Sequence, residues 1–479
     1  MSHEFPTKNN MTKINLSKGE NMFIGRQDEL AKLAEMYHSD QQEVVLIYGR
    51  RRVGKSELIK QFLQGCQTKG LYYQCKRTTE MNNTESLSAL FSEIYGYPPL
   101  SFDSFEALLD FFFQQACREK SVLVLDEYPY LRQTVKGLDS IIQAMIDKYH
   151  GQSQLKLILC GSFVDTMKSL LLEENPLYGR LTMTIHLHPM DYFETAQFYP
   201  SFSPVDKIRL YSVFGGIPYY NRLVDETTSV RDNILRLLVV PGARLENEVQ
   251  MYLLGELGKF VNANEAFEAL ARGFRRYKDI LSQSHISSSP VLAEVLKRLI
   301  LMELVEKTAP INDAQNAKKT SYHISDNMAG FYYRYLFRYS SQRRIMSPDA
   351  FYDRYIDTDF EEQLVPHCFE DICRQFLIRK NRRGELPEIF DAIGRYYYDL
   401  PKEHRNGEFD VVTHDRKGYI FYEAKFRQSP LTDAMIEEEI RQVQQTGLAC
   451  YQYGFFSRSG YQVTPRPDVV LYRLDDLFE

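Results

Sequence analysis

Val44-Val45-Leu46-Ile47-Tyr48-Gly49-Arg50-Arg51-Arg52-Val53-Gly54-Lys55-Ser56 sets the class of fold. Its five leading apolar residues form a short buried-strand pattern, Gly49 ends that pattern, and Lys55 to Leu63 carry helical spacing. Between strand and helix, Gly49 to Ser56 fits G-x-x-x-x-G-K-S/T in full, in the context a phosphate-binding loop requires. Backbone N–H groups of such a loop, with a helix N-terminus behind them, surround phosphate oxygens. The pattern assigns Gly49, Arg52, Val53, Gly54, Lys55, Ser56 and Glu57 to nucleotide binding. Lys55 is expected to reach the β- and γ-phosphates and the Ser56 hydroxyl to ligate Mg²⁺, so the expected cofactors are ATP and Mg²⁺.

Downstream, a second apolar run, Val122 to Leu125, ends in Asp126 and Glu127, and a third, Leu155 to Leu159, ends in Cys160, Gly161 and Ser162. Strands separated by helical stretches predict an α/β fold with a parallel, doubly wound sheet. The second strand delivers two carboxylates to the sheet edge where ligands bind. Asp126 is expected to hold Mg²⁺, directly or through water, and Glu127 to polarise the attacking water. Ser162 is either a sensor of the γ-phosphate or a cap of the next helix.

The chain has 479 residues, 44% of them apolar and 25% charged. That is several times the roughly 150-residue prior for one domain, and the composition excludes collagen-like, coiled-coil and wholly disordered classes. Lys and Arg number 58 against 64 Asp and Glu, a formal charge of -6, so contact with DNA or RNA would have to use a local patch. Seven cysteines without a C-x-x-C pair suit a reducing compartment. No run approaches the roughly 18 apolar residues of a membrane span, and the polar first twenty residues hold no signal-peptide core, so a cytoplasmic protein without membrane contact is expected.

Composition and periodicity divide the chain into a mobile tail over 1–21, a nucleotide-binding core over 22–190, a helical lid over 191–250, a segment over 251–343 and a last domain over 344–479. The fourth shows three helix-like stretches and then two strand-like pieces, Leu304 to Thr308 and Thr320 to Ile324, the order of a winged helix. Its third helix, from Ser289, exposes Glu294 beside Lys297 and Arg298, thin for reading DNA, whereas Arg272, Arg275, Arg276 and Lys278 form a denser basic cluster nearby. Either that cluster contacts phosphate or it is a solvated face of a packing module.

In the last segment a helix from about Asp359 to Lys380 precedes Glu408-Phe409-Asp410-Val411-Val412, a turn at Asp415 to Gly418, and Tyr419-Ile420-Phe421-Tyr422-Glu423-Ala424-Lys425. This is a hairpin in which Glu423 and Lys425 share a face and Asp410 comes from the adjacent strand. Two carboxylates converging with a lysine can hold Mg²⁺ and position a water for attack on a phosphodiester, or they form an ordinary solvated face. Arg374, Arg379, Lys380, Arg382 and Arg383 suit either a phosphate backbone or a helix end favoured by the macrodipole. His186 and His188 lack a nearby acid or Cys to complete a zinc site, and Cys368 and Cys373 read as core-facing.

Phe23-Ile24-Gly25-Arg26, the phosphate loop, Leu125-Asp126-Glu127-Tyr128, Pro176-Leu177-Tyr178-Gly179-Arg180 and Gly215-Gly216-Ile217-Pro218-Tyr219 together resemble the archaeal-type ATPase family, an AAA+-related branch, over roughly residues 22 to 240. The resemblance implies that Phe23 to Arg26, with Gly25 and Arg26 as binding residues, border the adenine pocket, that Arg180 is an arginine finger or sensor, and that Gly215 to Pro218 lie in the lid. It also implies a nucleotide-dependent homo-oligomer. Taken from the residues alone, Arg180 pairs equally well with an acidic neighbour. The hairpin resembles the restriction-endonuclease-like PD-(D/E)-x-K fold, and residues 345 to 479 resemble the C-terminal domain of unknown function that many archaeal-type ATPases carry. There the likeness implies Asp410 and Glu423 as metal ligands, Lys425 as the residue orienting the nucleophile and Glu370 as an auxiliary acid, although Phe409 stands where the fuller motif has proline. Two functions of different class follow: an ATPase that gates metal-dependent cleavage of DNA or RNA, or a nucleotide-dependent switch whose C-terminal domain binds a protein partner or nucleic acid and cuts nothing.

Overall fold

The structure, a computed structural model, describes residues 23–257, 261–400 and 405–479, so the tail expected over 1–21 lies outside the described residues. The chain forms two compact units that divide between Pro189 and Met190.

In the first unit, β1 (Glu43–Tyr48), β2 (Gly70–Gln74), β3 (Ser121–Asp126), β4 (Leu155–Gly161) and β5 (Met183–His186) form one sheet in the order β2-β3-β4-β1-β5. Every pairing is parallel. The central strands carry continuous apolar stretches because helices cover both faces; Val44 to Ile47, Val122 to Leu125 and Leu157 to Cys160 are all buried. The helix Phe105–Gln115 contributes Phe105, Leu108, Leu109, Phe112 and Phe113 to this core at helical spacing. Registers fix the functional edge. Leu46 pairs with Leu159, which also pairs with Leu125, so the ends of β1 and β3 stand level and the loop after Tyr48 faces Asp126 and Glu127.

The second unit opens on the short helix Tyr192–Thr195, followed by the helices Pro204–Phe214, Pro218–Asn221 and Val230–Ile234. Three more, Val261–Ala271, Tyr277–Gln283 and Ser289–Leu301, precede β6 (Val305–Thr308) and β7 (Ser321–Ile324), an antiparallel pair. The helix Val365–Arg383 then leads into β8 (Ala392–Leu400), β9 (Arg405–Asp415) and β10 (Gly418–Lys425). After β11 (Leu431–Thr432), the helix Asp433–Gln445 leads to β12 (Cys450–Ser457), β13 (Tyr461–Gln462) and β14 (Val469–Arg473). The main sheet runs β14-β12-β10-β9-β8, with β8, β9 and β10 an antiparallel meander and β10, β12 and β14 parallel. β11 pairs with β13 separately.

The segments read as lid, three-helix module and C-terminal domain share this one unit. Tyr192 donates to the Leu477 carbonyl at 2.7 Å, Arg209 bridges Asp206 and Glu361, and Arg231 reaches Asp349 and Asp353. The edge strand β8 is covered as well. Ile311 N–H donates to the Arg395 carbonyl at 2.8 Å, the Asn312 amide exchanges two hydrogen bonds with the Tyr397 backbone, and Gly394, having no Cβ, leaves room for Ile311.

Gly216 shows what the Gly-Gly-x-Pro stretch is for. A Cβ there would lie 1.8 Å from the Met190 carbonyl oxygen, whose own N–H donates to the Gly216 carbonyl. Gly216→Ala is therefore expected to destabilise the second unit by about 2 kcal/mol or more, because backbone and not a flexible side chain must move. Thermal denaturation with the two unfolding transitions followed separately checks this.

Candidate functional site

The nucleotide site grows from the end of β1. Gly49 is required because the chain leaving β5 crosses it: a Cβ would lie 2.2 Å from the Leu187 carbonyl oxygen. The Lys55 ammonium, buried beneath the loop, donates to the Gly49 carbonyl at 2.8 Å and the Arg50 carbonyl at 3.0 Å. Arg26, also buried, donates to the Val53 carbonyl at 3.2 Å and the His188 carbonyl at 2.5 Å, which ties the loop to the strand end beside it. The Glu57 side chain turns outward to Lys60 at 3.4 Å, so only its backbone can serve the loop.

Asp126 ends β3 opposite this loop. Its Oδ2 accepts from the Ser56 hydroxyl at 2.8 Å and from the Tyr72 hydroxyl, and its Oδ1 accepts from the Glu127 N–H at 3.0 Å. Burial, with Asp126 alongside, pushes the Tyr72 hydroxyl far up, so it stays a proton donor. Glu127 in turn accepts from the Ser162 hydroxyl at 2.7 Å and more weakly from the Ser162 N–H at 3.4 Å. Ser162 therefore does not cap the next helix, whose N-cap is Phe163. Four non-glycine residues among those described have positive φ, and three of them, Arg26 at 59°, Arg52 at 69° and Glu127 at 55°, belong to this site. Backbone held in that sparsely allowed region gathers where side chains must be aimed.

Arg180 stands elsewhere. It makes a two-pronged pair with Asp147, both contacts 2.9 Å, just before β5, where Thr182 N–H meets the Val44 carbonyl. That is the start of β1, roughly 15 to 20 Å along the strand from the phosphate loop. The acidic-neighbour alternative describes what Arg180 does in its own chain, and the structure does not bring it to that chain's loop.

Removing Ser162 tests the Glu127 arrangement. Ser162→Ala is expected to lower kcat for ATP hydrolysis about tenfold with KM nearly unchanged, because the hydroxyl touches the carboxylate and not the phosphate cradle. Steady-state kinetics at saturating and limiting ATP check it.

The second carboxylate set lies on β9 and β10. Their register runs to Val411 opposite Tyr422, so Asp410 and Glu423 occupy the next position on each strand. Lys425 reaches Glu423 at 2.5 Å and Glu439 at 2.8 Å. Arg395 from β8 stands 3.5 Å from the Asp410 carboxylate, Arg374 donates to the Asp410 carbonyl at 3.2 Å, and Glu370 pairs with His367 at 3.1 Å. Burial pushes the Glu423 carboxyl up to about 7, with Lys425 pulling against it and Glu439 and Asp410 adding to the rise. Asp410 is raised too, by burial and Glu370, with Arg395 opposing. Two neighbouring carboxyls that resist ionisation are relieved by a bound cation.

A raised folded-state pKa on an acid contributes stability that is complete below about 4.5, its ordinary value, and is lost as pH rises through about 7. Without metal, the wild type is therefore expected to lose stability relative to Glu423→Gln between pH 5 and pH 8. Paired melting curves in EDTA at both pH values measure that difference, and equal differences would remove the burial argument.

Glu439 was not among the residues the motif supplied, yet its place was readable: it lies three after Ile436 and four before Val443, both buried on the inner face of the helix Asp433–Gln445. Tyr72 had no motif to mark it. Most of the basic run on the helix Val365–Arg383 is occupied by acids: Arg374 with Asp371, Arg379 with Asp191, and Lys380 and Arg383 with Glu385. Cys368 and Cys373 are buried and, like the other five cysteines, free, with burial pushing the Cys368 thiol up to about 12.

A five-stranded parallel sheet with a phosphate loop after its β1 strand, and with loop serine and strand-end aspartate in contact, defines a P-loop ATPase fold. Residues 23–223 match a family described as an ATPase domain predominantly from Archaea, and residues 332–443 match a family of archaeal and bacterial proteins of unknown function. An uncharacterized protein of Methanocaldococcus jannaschii is 27% identical over 466 residues, 95% of this chain and 100% of that one. An ATP-binding protein of the same organism is 42% identical over 48 residues, 10% of this chain and 81% of that one. Among solved structures, the Walker-type ATPase of Pyrococcus abyssi is similar at 20% identity and a TM-score of 0.48, over 65% of this chain and 96% of that one. Among the described residues no helix is long and apolar enough to cross a membrane.

Proposed function

We propose that the protein is a Mg²⁺-dependent ATPase whose nucleotide cycle gates a metal-dependent phosphodiesterase in its C-terminal domain, acting on DNA or RNA. The observation that carries the second half is the opposition of Asp410 and Glu423 across adjacent strands, with Lys425 on the same face as Glu423. In the ATPase, Lys55 would exchange its two loop carbonyls for phosphate oxygens, Glu127 would orient the attacking water, and Ser162 would hold Glu127 in place. Ser56 and Asp126 offer hydroxyl and carboxylate oxygens already in contact, the donor type a hard divalent cation takes, and when bound Mg²⁺ would neutralise charge on the phosphates. Winged-helix architecture for residues 251–343 and a restriction-endonuclease-like core for 344–479 belong to the same reading. The sheet order supports the latter: a three-stranded antiparallel meander after a long helix, then a helix and a strand parallel to β10.

One observation favours the alternative, a switch that binds a partner and cuts nothing. Lys425 is held between two carboxylates and Arg395 stands at Asp410, so the site is partly neutralised by its own side chains. Incubation of the purified chain with linear, branched and single-stranded DNA and RNA, with Mg²⁺ or Mn²⁺ and with or without ATP, separates the two. Metal-dependent products on denaturing gels are expected, and intact strands in every arm alongside ongoing ATP hydrolysis would leave the switch as the function.

A further inference from the structure

The three-helix segment and its β6–β7 pair reach the carboxylate set through two lines of side chains. Asp410 meets Arg395, whose Nη1 donates to His323 Nε2 on β7 at 2.7 Å. Glu370 meets His367, whose Nε2 accepts from Arg275 Nη2 at 3.2 Å. Arg374 arrives from the helix between them. Three guanidinium groups from three separate elements thus surround one pair of acids.

Their partners are unusual for desolvated cations. The side-chain contact of Arg275 is an imidazole, and Arg395 gives its closest hydrogen bond to another, with Asp410 farther off at 3.5 Å, while Arg374 is held closely by Asp371. Burial together with the surrounding arginines pushes His323 down to about 2, so this imidazole accepts without cancelling charge. Two of the three guanidinium groups, on Arg275 and Arg395, thus make their closest side-chain hydrogen bonds to imidazoles rather than to carboxylates, and planar guanidinium forks match phosphate oxygens in pairs.

We propose that Arg275, Arg374 and Arg395 form a phosphate subsite for a polynucleotide backbone, completed by the three-helix segment through Arg275. The subsite rests on the nucleic-acid reading above and deepens it. It also gives a task to one member of the basic cluster near residue 275: Arg272, Arg276 and Lys278 are exposed, whereas Arg275 turns inward.

Fluorescence anisotropy of a labelled single-stranded oligonucleotide, as DNA and as RNA, in Ca²⁺ and over a series of salt concentrations, tests it. Arg275→Gln keeps a donor for His367 and is expected to weaken binding about tenfold and to reduce the salt slope by about 0.7, the value of one phosphate contact on a single strand. Arg275→Lys should restore the slope. Wild-type affinity in Arg275→Gln, or lost affinity with an unchanged slope, would overturn the subsite, as would failure of the wild type to bind either strand. Displacement of the strand by low millimolar inorganic phosphate would also overturn it, by marking a free-anion site. If the wild type binds with this slope and never cuts, the subsite stands and the cleavage reading falls. If it cuts while Arg275→Gln keeps wild-type KM and slope, the reverse holds.

Discussion

Glu127→Gln is expected to bind ATP with nearly wild-type affinity and to hydrolyse it about a thousandfold more slowly, the range over which a positioned general base contributes. The geometry separates the two effects. Glu127 contacts Ser162 through its side chain and Asp126 through its backbone N–H, and neither contact involves the Lys55 cradle. A glutamine keeps the oxygen that accepts from the Ser162 hydroxyl and loses the basicity together with the weaker contact to the Ser162 N–H. Lys55→Ala should behave in the opposite sense, with affinity itself lost, because its buried ammonium sits on the Gly49 and Arg50 carbonyls that phosphate would replace. Equilibrium binding of labelled ATP beside single-turnover hydrolysis reads both. Equal rates for Glu127→Gln and wild type would take the water-orienting role away from Glu127.

The second large effect is expected in the C-terminal domain. Asp410→Asn, Glu423→Gln and Lys425→Ala should each lower cleavage by about a hundredfold or more while leaving ATP hydrolysis unchanged, because the two sites belong to different compact units. The three should part company in metal binding. Asp410→Asn and Glu423→Gln remove a ligand charge, so the stabilisation of the wild type by Mg²⁺, about 2.7 kcal/mol at a hundredfold excess over Kd, should shrink in both. Lys425→Ala frees Glu423 and Glu439 from a shared ion pair and should keep or increase that stabilisation. Melting curves with and without Mg²⁺, beside gel assays of cleavage, check this. A wild type that neither gains stability from metal nor cuts would leave the carboxylates a structural set.

The residues that announced themselves in sequence are those whose neighbours in space are also neighbours in the chain. Strand β1, its loop and the following helix are one continuous signal, and the β9–β10 hairpin carries Asp410, Glu423 and Lys425 within sixteen residues. Central strands β3 and β4 were legible because burial on both faces gives each a continuous apolar stretch, Val122 to Leu125 and Leu157 to Cys160. Strands β2 and β5 were not: Gly70–Gln74 alternates between buried and half-exposed positions, and Met183–His186 buries only Ile185. Tyr72 went unseen with β2. Arg180 shows a different limit, since a motif fixes which residue is present and not which end of the sheet it occupies. The meeting of Arg275 with His367, or of His323 with Arg395, spans dozens of residues and has no periodicity to betray it.

Strand β8 closes one side of the C-terminal sheet, and its outward backbone groups are met by Ile311 and Asn312 from the loop between β6 and β7. An uncovered edge of nine residues is a template on which further strands can add without end. The loop thus acts as a stopper against polymerisation. A shortened chain beginning at residue 344 would retain every carboxylate of the candidate site and lose this guard, so it should form concentration-dependent aggregates that a chain beginning at residue 190 does not.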